Sequence, residues 1–237
     1  PNPAGPGMHF EDLAHVFDQG HDGRRREIAL GSHGVVDAGP ARNRQTPCTW
    51  TLLVQSAVPE QSATVLAEED GDSAITLSVG ASGAEASVTW PNGSLSMATG
   101  VPLKPRRWYR LWLAIDPASG RVVLGQQGLD RQPPSVVEKR ADGVRLPSSG
   151  TVLFAAERAR APHRHFTGKL EAPAILRGFV EAWPDPLAEP DAEVLAAWYF
   201  SQGISGSTIT DTGPGKHHGR LVNQPTRAVV GARWGGT

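Results

Sequence analysis

The sequence predicts an all-β fold: a jelly-roll sandwich of two antiparallel sheets followed by an extended C-terminal tail. Glycine and proline supply 27 and 20 of the 237 residues, and they punctuate a series of short apolar runs. Turn-forming residues join neighbouring runs. Helical periodicity is thin.

The runs read as strands are 34–38, 48–57, 63–69, 73–80, 84–90, 107–116, 121–127, 151–157 and 169–176. In 107–116, Trp108, Arg110, Trp112 and Ala114 share one face, and Tyr109, Leu111, Leu113 and Ile115 share the other. Two largely apolar faces place this strand near the centre of a packed pair of sheets. Asp70-Gly71, Pro91–Gly93 and Asp116–Gly120 carry residues that tolerate turn dihedrals, so each connects a hairpin. Helix signals are confined to 10–17 and to 190–198, where a proline and an aspartate precede an apolar run. Residues 1–27 form an N-terminal extension, 28–179 the sandwich, and 180–190 a Pro-rich acidic linker. The tail, 191–237, again looks extended and either packs on the sandwich or leads into a following domain.

Composition narrows the function. The formal net charge is -1, so no global field attracts nucleic acid or anionic lipid, and neither is expected as a partner. The basic cluster at 23–27 has no interleaved aromatics and reads as a solvated loop. The single cysteine, Cys48, excludes an internal disulfide framework and lies in an apolar run, as a buried inert thiol would. No stretch reaches the roughly 18 apolar residues of a membrane span. The first ten residues lack the charged start and apolar core of a signal peptide. A cytoplasmic location is expected.

The order of motifs resembles the laminin-G-like, concanavalin A-like sandwich family over residues 28–178. "CTWTLLVQ" (48–55) looks like an early core strand of that family. "RWYRLWLAIDPASGRVVLGQQG" (107–128) looks like its paired central strands, and "FTGKLEAPAIL" (166–176) like a late strand. The tail resembles a segment of the large subunit of bacterial N,N-dimethylformamidases. The run Pro225–Val229, with Gly231 and Trp234 after it, weighs most. That resemblance implies an accessory region of a mononuclear-iron amidohydrolase that splits N-substituted formamides. The iron ligands belong to a later domain, so no cofactor is expected here. The implied partners are other domains of the same chain and a small subunit.

Candidate sites divide by chemistry. Glucanases on related sandwiches use Glu-x-Asp-x-x-Glu to aim paired carboxylates into a cleft. Here Glu68 and Asp70 fit, but Ser73 stands where the acid belongs, and Asp70-Gly71 is a better turn. Calcium needs six to eight converging oxygens; Asp116, Asp211 and Glu171 are the contributors, each with a simpler role as a turn starter or a solvent-facing edge residue. His163 and His165 would share a face of an extended segment and lack further ligands nearby. No phosphate-binding Gly-rich loop or nucleophile elbow occurs. Asp211, Gly213, Gly215, His217 and His218 read as a structural turn: a side-chain cap, glycines free for positive φ, and imidazoles that pin the turn. The expected function is therefore non-catalytic, a scaffold for domain or subunit contacts. The alternative is a carbohydrate-binding, lectin-like module in which Trp50, Trp90 or Trp183 stacks on sugar rings; a hydrolase in its own right is the third reading.

Overall fold

The computed structural model describes residues 7–10, 31–130, 132–188 and 191–232. The first five strands are β1 (Gly7–Phe10), β2 (His33–Val36), β3 (Cys48–Ser56), β4 (Ala63–Asp70) and β5 (Ser73–Gly80). Then come β6 (Gly83–Trp90), β7 (Gly93–Ala98), β8 (Trp108–Asp116), β9 (Arg121–Gly128) and β10 (Ser135–Arg140). The remainder are β11 (Thr151–Phe154), β12 (Gly168–Arg177), β13 (Glu193–Tyr199), β14 (Thr208–Asp211), β15 (Gly219–Val222) and β16 (Thr226–Val229). No helix occurs among the described residues.

Hydrogen bonding runs β10-β9-β8-β3-β12 through one layer and β15-β2-β11-β4-β5-β6-β7 through the other, with β13-β14 joining the two along one side. All pairings are antiparallel. The main core lies between the layers and includes Trp50, Leu77, Leu113, Phe154, Ile175 and Trp198, all essentially buried. Alternation explains the choice of face: Leu111, Leu113 and Ile115 of β8 enter this core, while Trp108 and Trp112 point the other way.

A bulge between Glu171 and Ala174 in the ladder with β3 divides β12, whose other edge is shared by two strands. Its first half pairs with β1 and its second with β13. This corrects the helix expected at 190–198. Ala196 and Trp198 bury on one face while Val194 packs on the other, and ladder partners on β12 and β14 override the helix-start signal. The helix expected at 10–17 falls outside the described residues, Phe10 excepted, which belongs to β1. The strand expected at 151–157 ends at Phe154, where Ala155 turns to φ 65.

The Pro-rich segment does not hang between domains. From Gly178 to Ala188 it lies as a strap on the outer face of the β3–β8–β12 layer. Thr49 donates its hydroxyl to the Gly178 carbonyl at 2.8 Å and accepts from Val180 N at 3.0 Å. Trp183 packs on Trp112 and Leu176, and Leu187 on the Leu53–Trp108 cluster. The second apolar face of β8 is thus covered by this strap rather than by a second sheet.

Candidate functional site

The three tryptophans considered for ligand stacking are all buried. Trp50 is 0% exposed; its Nε1 donates to Glu68 Oε2 at 2.8 Å, and the Arg42 guanidinium lies 5.2 Å from its ring centre. Trp90 closes the hairpin at Pro91–Gly93, and a Cβ on Gly93 would meet its indole at 2.6 Å. That glycine therefore serves close approach. Trp183 lies under the strap with its ring centre 5.8 Å from that of Trp112, and its Nε1 donates to the Ala188 carbonyl at 3.1 Å. None of these rings offers a face to a sugar.

The carboxylates are likewise spoken for. Glu68 is fully buried, held by Arg42 at 2.6 Å, whereas Asp70 turns outward to Arg44 at 2.7 Å and to Ser148. Hydrogen bonds from Ser148 hold the Asp70 carboxyl below its usual range. Glu68 and Asp70 thus point into different environments, and Ser73 lies with Asp70 at Arg44, whose Nη1 is 3.4 Å from the Ser73 hydroxyl. Asp116 accepts from Ala118 N at 3.0 Å and from the Ser119 hydroxyl at 2.6 Å, the local turn anticipated for it. Glu171 departs from expectation. It is 7% exposed on an interior strand and accepts from Ala232 N at 2.6 Å, which ties the end of the described chain to β12. Burial pushes the Cys48 thiol up to about 11, so it is not a nucleophile at neutral pH.

His163 and His165 do not share a face. Arg164 between them adopts φ 51, which breaks the extended run. His163 pairs outward with Glu157 at 3.1 Å, and His165 turns inward beside His33, ring centres 5.4 Å apart.

The Asp211–His218 turn is built around one buried carboxylate. Asp211 is 1% exposed; its Oδ1 accepts from Ala197 N and Gly213 N at 2.9 and 2.7 Å, and its Oδ2 from His217 N at 2.7 Å. Trp198 Nε1 donates to the His217 carbonyl at 2.8 Å. His217 Nδ1 lies 3.1 Å from the Ala38 carbonyl, and His218 Nδ1 accepts from Asp211 N at 3.1 Å. A ring nitrogen that accepts from a backbone N–H carries no proton there. The glycines work differently from expectation: the positive φ falls on Lys216, not on Gly213 or Gly215. A Cβ on Gly213 would lie 3.0 Å from Ala196 Cα, and one on Gly215 would lie 2.2 Å from the His217 ring. Space, not dihedral freedom, demands glycine.

An open cleft of about 430 Å³ lies on the outer face of β5–β7, its lining including Thr76, Ser78, Glu85, Ser87, Lys139 and Arg164. The lining contains no aromatic ring. Arg164 is paired with Glu157 at 3.5 Å and approaches Glu85 at 4.0 Å, and Lys139 donates to the Ser96 carbonyl at 2.9 Å. Thr64, Ser78 and Glu157 are linked by hydrogen bonds of 3.2 and 2.8 Å. The cleft lining mixes these polar groups with Ala86, Met97 and Ala98. Alternating Ser and Thr in 76–78, 87–89 and 94–96 signal its outward face in the sequence; nothing there signals a ligand.

The chain resembles the N,N-dimethylformamidase beta subunit along its whole length. It is 28% identical over 287 aligned residues to that of an Alcaligenes species, covering 99% of this chain. It is also 28% identical over 280 residues to that of Paracoccus aminophilus, with the same coverage. The chain spans about a third (35%) of the length of these curated relatives. No family model matches it. Among solved structures, a putative carbohydrate-binding protein from Bacteroides ovatus superposes with a TM-score of 0.60 at 13% identity, over 97% of this chain and 61% of that one. The LG1-3 region of the laminin alpha2 chain gives 0.55 at 13% identity over 80% and 33%, and a Limulus polyphemus pentraxin 0.51 at 12% over 76% and 79%. The fold is thus a laminin-G-like jelly-roll sandwich.

Proposed function

We propose that this chain is a non-catalytic, laminin-G-like accessory domain of a larger dimethylformamidase-type amidohydrolase, acting through domain or subunit contacts. The observation that carries the reading is the match of 99% of this chain to only 35% of an enzyme subunit. The local chemistry supports it. The acids and imidazoles weighed for catalysis close turns, form ion pairs or pack inside the sandwich. On this reading the iron belongs to another part of the parent enzyme, the location is cytoplasmic, and the partners are the remaining domains and a small subunit. The lectin-like alternative draws on fold similarity to the Bacteroides protein, but the stacking tryptophans it requires are buried.

The test is paired. The 237-residue chain, with and without added ferrous iron, is assayed for N,N-dimethylformamide hydrolysis, and no turnover is expected. The Paracoccus beta subunit with its matched third replaced by this chain is expected to assemble and hydrolyse the amide. Iron-dependent turnover by the isolated chain would overturn the reading.

A further inference from the structure

The hairpin that joins β6 to β7 has a loop of two residues, Pro91 and Asn92, between the paired Trp90 and Gly93. Asn92 is exposed at its tip. Of the four asparagines in the sequence, only Asn92 precedes a glycine. Its side chain has no hydrogen-bond partner among the described residues. Two other asparagines are tied down: Asn43 Oδ1 accepts from Gln45 N at 2.9 Å, and Asn223 Nδ2 donates to the Gly31 carbonyl at 3.0 Å. Gly93 has no side chain to shield its amide nitrogen, and a Cβ there would meet the Trp90 indole at 2.6 Å. β7 ends its layer and pairs with β6 alone among the described residues. A hairpin tip on a terminal strand is among the first parts of a fold to open locally.

We infer that Asn92-Gly93 is a self-modification site, where the chain deamidates through a cyclic imide, and that the isoaspartate product opens the β6–β7 hairpin and uncovers Trp90. Asparagine is a chemically labile residue. The Gly93 amide nitrogen loses its proton to solvent hydroxide and attacks Asn92 Cγ. The new N–Cγ bond closes a succinimide, and the side-chain nitrogen leaves as ammonia. Water then opens the ring at one of its two carbonyls. Cleavage between Gly93 N and Cγ gives aspartate; cleavage between Gly93 N and the main-chain carbonyl carbon of residue 92 gives isoaspartate. Water is the only co-reactant, and nothing is oxidised or reduced. The aspartate adds a charge at an exposed tip and leaves the backbone path unchanged. The isoaspartate routes the main chain through Cβ and Cγ, one carbon longer. Loop length and turn type fix the register of a hairpin, so the added carbon displaces the Trp90–Gly93 and Thr89–Ser94 pairs. Trp90 is 7% exposed and rests its indole against Gly93. Displacing Gly93 bares that face of the ring.

The experiment incubates the folded chain at mildly alkaline pH and follows each asparagine by peptide mapping, mass spectrometry and isoaspartyl methyltransferase labelling. Asn92 is expected to convert about tenfold faster or more than Asn43 and Asn223, because it lies at the tip that opens first. Asn92→Gln should remove the conversion, since its longer side chain closes the ring far more slowly. Amides of 84–98 should exchange about tenfold faster in aged wild type than in aged Asn92→Gln. Fresh Asn92→Asp, which carries the charge without the added carbon, should exchange like fresh wild type. The chain unfolded in urea is the positive control for the chemistry. No conversion at Asn92 in the folded chain, or conversion no faster than at Asn43, overturns the site. Conversion with unchanged exchange in 84–98 overturns the opening of the hairpin. Fast exchange already present in fresh Asn92→Asp makes the charge its cause and overturns the role of isoaspartate.

Discussion

The guanidinium of Arg110 lies 4.8 Å from the centre of the Trp183 ring, and its Nε donates to the Pro186 carbonyl at 2.5 Å. One strand residue thereby holds two points of the Pro-rich strap, which makes that segment part of the sandwich. Trp183→Ala should therefore lower stability by about 3–5 kcal/mol, as a buried aromatic truncation does. Urea denaturation measures it. A loss under about 1 kcal/mol, the scale of a surface substitution, would show that the strap does not hold the sandwich.

The two turn glycines should separate by what surrounds them. The Cβ added at Gly213 meets main-chain atoms of Ala196 and Ala197 at 3.0 and 3.2 Å, and these belong to β13 and cannot retreat. Gly213→Ala should cost about 1–3 kcal/mol, as overpacking does. At Gly215 the clash is with the His217 ring, which can rotate away. Gly215→Ala should cost less, and its cost should vanish in a His217→Ala background. A double-mutant cycle reads this coupling. Strict additivity of the two substitutions would show that the ring does not set the limit at 215.

Much of the sandwich is legible in the sequence because β3, β8 and β9 are continuous apolar runs, β6 alternates, and short turns join β4 to β5, β5 to β6, β6 to β7 and β8 to β9. The positive φ of Gly71 and Gly120 is what the Asp70-Gly71 and Asp116–Gly120 turns require. Short edge elements are less legible. β7 and β10 carry serines and charges, β1 and β16 have four residues each, and their pairing comes from distant partners. The strap escapes for another reason: prolines signal the absence of regular structure but say nothing of what covers them. Side-chain roles are hardest. Asp211 is recognisable as a cap, yet its three N–H donors come from positions 197, 213 and 217, and only the fold brings the first to the others.

Burial holds the His33 imidazole below its ordinary value of 6.5, with the nearby His165 and Arg220 charges adding to it against a hydrogen bond to the Gly31 carbonyl. The unfolded chain therefore takes up this proton first as the pH falls. The His33 contribution to stability is complete above about pH 6.5 and declines as the pH drops toward the folded value. Asp70 and Asp116, both held below 3.8, lose their contributions only at lower pH. Urea midpoints between about pH 4 and 6.5 isolate the histidine. His33→Gln should flatten the slope in that interval; equal slopes in variant and wild type would assign the proton uptake elsewhere.

Arg227 has no carboxylate partner among the described residues. Its Nη1 donates to the carbonyls of Gly203, Gly206 and Thr208 at 2.9, 2.8 and 3.1 Å, and its Nη2 to those of Phe200 and Gln202 at 2.9 and 2.6 Å. The planar fork of a guanidinium reaches all five together, whereas the compact ammonium of lysine has three donors on one atom. Arg227→Lys should consequently recover little of what Arg227→Ala loses, about 1–3 kcal/mol. Amides of 201–208 should exchange faster in both variants. The alanine variant leaves converging carbonyls and space for a small planar cation. Guanidinium chloride well below denaturing concentration should raise the melting temperature of Arg227→Ala, while sodium chloride at equal ionic strength does not, and wild type gains nothing. If both salts act alike on the variant, charge screening explains the shift and the carbonyl array is no guanidinium site.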